Sequence, residues 1–571
     1  MPSAFSVLRI RSLLEPHVML FWAALVGVLG ALATIAFREG LAGTQHLLGG
    51  HSGSFVEMAA GLSWPVRLVL PCAGGVLAGF FLSLAKRRAD SAPNDYMEAI
   101  VVGDGRIPVG QTLLRGASSL CTISSGGSIG REGPMVQLAA MCASVVGSLA
   151  RFDPRRLRLL VACGAAAGIA SAYNAPIASA FFVTEIVLGN IAIDSLGPMM
   201  IAAVAANITM RRLPGYHPTY LMPAFPFVPG IEVALFIVLG GLAGLAAPQF
   251  LRLLDLMRRG FQRSGLPLPM RLGAGGLGVG LLSIWVPQVW GNGYSVVNSL
   301  LHSPWAWSAV LAILVFKVAA TLCTAGSGAV GGIFTPTLFV GAALGQLFGQ
   351  IVHGLFPGLA AAPAAYAIVG MGAFLAASTG APLMAILMIF EMTLSYQIML
   401  PLMLACVIAY FLARGVGGPS MYEVTARHRH AALMRQSLRA TQMQALVEPA
   451  QTVLTLDASV SDMLAMFGSH AVKYIYIVDA ANRYRGVVAL RDLATAAMDG
   501  AGKSARDFLH PDLLPLITPD MTLADAYRQF LLHHGERLPV VQSKEEPLLL
   551  GAIRKTEILS AFAELQQKDP F

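Results

Sequence analysis

Apolar runs of roughly 17 to 25 residues, the length that crosses a bilayer as a helix, recur between Val18 and Leu412. Unbroken runs at 18–37, 64–84, 233–254 and 272–287 predict spanning helices. Between them lie shorter runs interrupted by glycine and proline, which predict helices that stop within the apolar layer. The pattern changes after Tyr422. Residues 474–479 and 486–492 read as strand, turn, strand and helix start, and 538–541 with 551–557 repeat that order.

One polar stretch interrupts the apolar pattern. Ser125-Gly126-Gly127-Ser128-Ile129-Gly130-Arg131-Glu132-Gly133-Pro134 sits between two apolar segments. Irregular backbone at membrane depth is tolerated only inside protein or beside a watery cavity. Pro134 suits the first turn of a helix, and a helix start with bare amides attracts anions. A second such loop, Gly326-Ser327-Gly328-Ala329-Val330-Gly331-Gly332-Ile333-Phe334-Thr335-Pro336, follows later. Gly130-x-x-x-Pro134 recurs as Gly332-x-x-x-Pro336 at an offset of 202 residues. Asn174-Ala175-Pro176 with Glu185 recurs as Gly380-Ala381-Pro382 with Glu391 at an offset of 206. These pairs define an internal repeat, and repeats of opposed topology would bring both helix starts to one midplane anion site.

Composition agrees with a polytopic membrane protein joined to a soluble tail. Of 571 residues, 56% are hydrophobic and 12% charged, with a mean hydropathy of +0.66. The N-terminal segment lacks a small-residue cleavage site and reads as a retained first span. The net charge of +8 comes largely from clusters beside spans, such as Lys86-Arg87-Arg88 and Arg155-Arg156-Leu157-Arg158. These read as cytoplasmic topology signals and not as a nucleic-acid surface. The six cysteines have no C-x-x-C spacing and imply neither a disulfide framework nor a metal site.

Gly130-Arg131-Glu132-Gly133-Pro134, Gly332-Ile333-Phe334-Thr335-Pro336 and Gly417-Gly418-Pro419-Ser420-Met421-Tyr422 together resemble the ClC family of chloride channels and proton-coupled chloride transporters. The resemblance implies a homodimer with one pore per subunit, built from tilted and broken helices. It makes Glu132 the gating glutamate, whose carboxylate competes with chloride for the outer site. The amides of Ile333 and Phe334 would bind the central anion and the Tyr422 hydroxyl would close the site from inside, with Gly130 and Ser91 completing the anion-binding set. Arg131 is expected to be structural, ion-paired with Glu98.

The chain departs from the family pattern in two places. Transporters of the family usually carry an inner proton glutamate where this chain has Ile186, just after Glu185. That leaves two roles for Glu185, a place on the proton path or a structural one, and leaves open exchange versus a passive voltage- or pH-gated channel. The inner serine motif reads Ser91-Ala92-Pro93-Asn94-Asp95, which loosens the preference for chloride over other anions.

The tail resembles a pair of CBS domains. In nucleotide-binding pairs, a hydroxyl residue and an acid follow the strand glycine. Here those positions hold Ala489 with Asp492, and Arg554 with Glu557. Both hydroxyls are missing, so a packing domain that supports dimerisation or gating is preferred over one binding adenine nucleotide through Asp492 and Glu557. The basic linker, with Arg427, Arg429, Arg435 and Arg439, would rest on anionic lipid or be a solvated face.

The expected fold is therefore an all-α polytopic membrane protein with an inverted internal repeat, plus a small α/β CBS pair. Expected domains are 1–425 for transport, 426–445 for the linker, and 446–500 and 501–565 for the CBS units. The expected setting is a bacterial inner membrane with the tail in the cytoplasm. An intramembrane metalloprotease would need H-E-x-x-H on a span, which the sequence lacks. A membrane-tethered nucleotide sensor would need no broken helices. Neither an enzymatic activity nor a cofactor is expected, with chloride as substrate.

Overall fold

The computed structural model describes residues 4–49 (side chains from Val18), 54–88, 95–212, 220, 223, 232–357, 361–422, 446–496, 503–531 and 536–567. The chain divides into two compact units, Met1–His428 and Arg429–Phe571. The basic linker and Ser91 lie outside the described residues.

In the first unit the described helices begin with α1 (Ala4–Gly49), α2 (Phe55–Gly61), α3 (Trp64–Arg87) and α4 (Tyr96–Val101). The first repeat follows as α5 (Val109–Ser124), α6 (Glu132–Leu149), α7 (Pro154–Tyr173), α8 (Pro176–Phe182) and α9 (Ile193–Arg211). After α10 (Val233–Arg263), α11 (Leu268–Trp285) and α12 (Tyr294–His302), the second repeat runs through α13 (Trp307–Gly326), α14 (Phe334–Leu355), α15 (Pro363–Thr379), α16 (Pro382–Thr393) and α17 (Met399–Gly415). Among the described residues, eight helices are long and apolar enough to cross a membrane.

Backbone angles carry the repeat. Asn174 ends α7 in the left-handed region at φ 58°, and Gly380 ends α15 at φ 72°. The next residues, Ala175 and Ala381, share φ −127° with ψ of 78° and 80°. Proline then opens each following helix, where its missing N–H costs nothing. The offsets differ by four residues because α14 has 22 residues to the 18 of α6, while α15, with 17 residues to the 20 of α7, is shorter by as much as the connection before it is longer.

Small residues bring these helices together, because in lipid close backbone approach replaces hydrophobic drive. A Cβ on Gly168 of α7 would stand 2.8 Å from the Val136 Cα of α6. In the second repeat, Gly341 of α14 and Gly370 of α15 pack so closely that a Cβ on either would lie 2.4 Å from the other's carbonyl oxygen. Large apolar side chains such as Phe21, Ile193, Leu400 and Phe411 point outward.

The second unit is α/β. A three-stranded sheet runs in the order β1 (Val453–Thr455), β2 (Tyr474–Val478) and β3 (Tyr484–Ala489), with β1 parallel and β3 antiparallel to β2. A second, antiparallel pair joins β4 (Arg537–Val541) to β5 (Leu549–Arg554). Helices Leu490–Ala496 and Lys555–Gln567 follow β3 and β5, in the order expected from the sequence.

Candidate functional site

The two glycine loops meet. Gly130 donates its N–H to the Gly332 carbonyl at 2.8 Å and Gly332 returns the bond to the Gly130 carbonyl at 2.9 Å, in an antiparallel bridge. Two further bonds tie the first loop to α13: the Ser128 N–H donates to Thr324 Oγ1 and the Ser128 hydroxyl contacts Thr321 Oγ1, both at 3.1 Å. A Cβ on Gly130 would stand 2.8 Å from the Gly332 oxygen and 2.1 Å from Glu132 Oε2. No other residue fits there.

Glu132 opens α6 and is buried, the residue being 4% exposed. Oε1 accepts two hydroxyl bonds, from Tyr294 of α12 and Thr335 of α14, each at 2.5 Å. Tyr173 of α7 lies 3.1 Å from Thr335 Oγ1. The proton of Thr335 goes to Glu132, so Tyr173 donates to Thr335, and the chain reads Tyr173 to Thr335 to Glu132. Oε2 is buried and has no hydrogen-bond partner among the described residues. A buried carboxylate oxygen left without a donor is costly, and such oxygens mark sites of function.

An aromatic row leads from this carboxylate to Tyr422. The Tyr173 ring lies 5.0 Å from Phe334, Phe334 lies 6.2 Å from Phe182, and Phe182 lies 5.7 Å from Tyr422. The segment carrying Tyr422 is tied to the end of α15, where Met421 donates to the Ser378 carbonyl and the Ser420 hydroxyl to the Thr379 carbonyl. Ile333 and Phe334 stand at the start of α14, where a helix leaves its first N–H groups without intrahelical acceptors. Two cavities flank these residues. One of about 410 Å³ reaches Arg131, Trp290 and Tyr294, and another of about 670 Å³ reaches Ile333 and is lined by Arg252, Arg258 and Arg259. Both carry positive charge, which raises the local anion concentration.

The structure thus brings Glu132, Phe334 and Tyr422, expected from the sequence, into one row. Two expectations are corrected. Gly130 cannot offer its amide to an anion, because that N–H is spent on Gly332. Among the described contacts Arg131 makes no ion pair with Glu98: its guanidinium lies over the Tyr294 ring, 5.3 Å from the centroid. Opposite charge alone gave no information about which helix face each residue would occupy.

Glu185 lies in a π-helical turn, Val183–Leu188, with Ile186 buried beside it. Its carboxylate accepts the backbone N–H groups of Leu383 and Met384 at 3.3 and 2.8 Å, at the start of α16. The repeat mate does the reverse. Glu391 accepts the N–H groups of Ile177 and Ala178 at 3.0 and 2.8 Å, at the start of α8. Each repeat caps a helix of the other. In the tail, Asp492 lies 2.7 Å from His510 Nε2, and Glu557 occupies the first turn of helix Lys555–Gln567.

Sequence reasoning missed Tyr294, Thr335, Tyr173 and Phe182. Thr335 lies inside the second loop motif and Tyr173 directly precedes Asn174-Ala175-Pro176, so both were within reach. Tyr294 follows Gly291-Asn292-Gly293, a turn signal in a segment of no evident periodicity.

The description "Voltage gated chloride channel" matches residues 74–414, and "CBS domain" matches residues 448–499 and 505–564. A ClcB-like chloride channel protein of Ralstonia nicotianae is 57% identical over 417 residues, covering 72% of this chain and 97% of that protein. The voltage-gated ClC-type chloride channel ClcB of Salmonella typhimurium is 42% identical over 406 residues, 70% of this chain and 97% of that one. Among solved structures, a slow cyanobacterial Cl-/H+ antiporter is 27% identical with a TM-score of 0.64, over 72% of this chain and 98% of that chain. A eukaryotic CLC transporter shares the fold at 18% identity and a TM-score of 0.61, over 95% of this chain and 98% of that chain. Paired loops, buried glutamate and these matches agree: the chain is a multi-pass membrane protein that belongs to the ClC family and carries a C-terminal CBS pair.

Proposed function

We propose that this protein moves chloride across a membrane at the junction of its two repeats, with the Glu132 carboxylate competing with the anion. The observation that carries the reading is Glu132 Oε2, buried and unpartnered beside the Gly130–Gly332 bridge. Protonation removes the charge that rivals chloride and frees the side chain to move, which couples proton uptake to anion passage. Ile333 and Phe334 amides hold the central anion and Tyr422 closes the inner end. Amide dipoles and a hydroxyl bind without trapping, so the ion also leaves.

A passive channel is the second reading. Ile186 favours it, being buried and apolar where coupled members of the family carry the inner proton glutamate, and Glu185 is engaged as a cap. The ClcB relatives are named channels, whereas the cyanobacterial neighbour is an antiporter. The transport unit spans 1–425 and acts as a homodimer in a bacterial inner membrane. Exposed apolar side chains on α9, α16 and α17, among them Ile193, Leu383 and Leu400, suit a partner subunit and lipid. The CBS units, 446–500 and 501–565, lie in the cytoplasm and pack without adenine nucleotide, since Asp492 is already held by His510.

Purified protein in chloride-loaded liposomes tests this, with chloride efflux and external pH recorded together for the unmodified chain and Glu132→Ala. Proton uptake that follows efflux and disappears in the variant is the expected result. Efflux without a proton signal selects the channel, and no efflux from the unmodified chain overturns the proposal.

A further inference from the structure

Lys317 sits midway along the span α13, 1% exposed. A buried cation at membrane depth is costly unless its donors are satisfied. No carboxylate among the described residues pairs with it. Its Nζ donates instead to two backbone carbonyls, Val289 at 2.8 Å and Gly291 at 2.7 Å, and lies 5.8 Å from the ring centroid of Phe339 of α14.

Both carbonyls belong to the segment that delivers Tyr294. After the short turn Pro287–Val289 come buried Trp290, Gly291 at φ 67°, Asn292 and Gly293 at φ 92°. A Cβ on Gly293 would stand 2.9 Å from the Phe339 ring and 3.3 Å from Lys317 Cε. The segment is therefore wrapped tightly over the lysine, and Tyr294 leaves it with its hydroxyl on Glu132 Oε1. Among the described contacts no other donor reaches the carbonyl of Val289, which ends the short turn, or that of Gly291, which lies beyond it.

We infer that Lys317 is a positioning residue for the gate, holding the 289–293 segment so that the Tyr294 hydroxyl stays on Glu132. The inference deepens the proposed function and rests on Glu132 as the gate. The Tyr294 hydroxyl and the Thr335 hydroxyl together hold Glu132 Oε1, so loosening Tyr294 leaves that oxygen to Thr335 alone.

The test is infrared difference spectroscopy of the Glu132 carboxyl in the full chain at one fixed pH, with Glu132→Gln identifying its band. Lys317→Met should move the band to the position of a carboxyl that has lost one hydrogen bond. Tyr294→Phe should do the same, the double variant should shift no further, and Lys317→Arg should stay near the unmodified position. A Met variant whose band stays in place, losing only thermal stability, overturns the inference, as does a shift that adds to that of Tyr294→Phe. If the Met variant does not accumulate, Lys317→Gln replaces it with the same expected direction. The spectrum needs no transport, so absence of chloride flux would overturn the function above and leave this result readable.

Discussion

At the residue scale, the site turns on two positions with no spare room. Gly130 lets two backbones pair and leaves Glu132 Oε2 a place beside them. Gly130→Ala must push a methyl into the Gly332 carbonyl, and overpacking of this kind costs about 1–3 kcal/mol. The expected outcome is folded protein of lower thermal stability whose chloride efflux falls, read in the liposome assay, because the methyl displaces the two loops that meet at Glu132. Efflux unchanged in Gly130→Ala would mean that the bridge is not needed for permeation. The sequence made Gly130 and Glu132 legible because loop glycines and a buried acid are improbable at membrane depth for any other reason. It could not show that the Gly130 amide was already taken, because that bond crosses about two hundred residues of chain.

At the element scale, the cross-capping of α8 by Glu391 and of α16 by Glu185 locks the two hairpins together. An acidic cap is worth about 1–2 kcal/mol to the helix it serves. Glu185→Gln and Glu391→Gln should therefore lower thermal stability by similar amounts, measured by thermal unfolding in detergent. The same two variants separate the roles left open for Glu185. As a cap, Glu185→Gln keeps the proton-to-chloride ratio of the unmodified chain; as part of a proton path, it loses proton movement while efflux persists. The equivalence of the two glutamates was legible as a motif at an offset of 206 residues, but their exchange of partners was not. Periodicity reports which residues share a face, and it is silent on which helix that face meets.

At the scale of the whole molecule, the chain joins a membrane unit to an α/β CBS unit, and the two respond to different conditions. In the tail, Asp479 closes the turn between β2 and β3. Its carboxylate accepts from the Arg483 and Ala481 N–H groups at 2.9 and 3.0 Å and pairs with the Arg485 guanidinium. The Arg483 N–H bond above all holds this carboxyl below the usual carboxylate range. A depressed folded-state value stabilises the unit above the unfolded value, near pH 4, and that contribution is lost as the pH falls through the folded one. Asp479→Asn should thus speed hydrogen exchange of β2 and β3 at pH 7, and the difference should shrink progressively as the pH falls below about 4. Strands and turns here were legible from alternation and glycine, whereas the ion-pair network needed coordinates. The membrane unit holds a further consequence in the lengths of its paired helices. α6 and α14 both start beside the Gly130–Gly332 bridge, so the four extra residues of α14 lengthen it by about 6 Å at its far end. A duplicated protein can therefore change the reach of one half without disturbing the place where its halves touch.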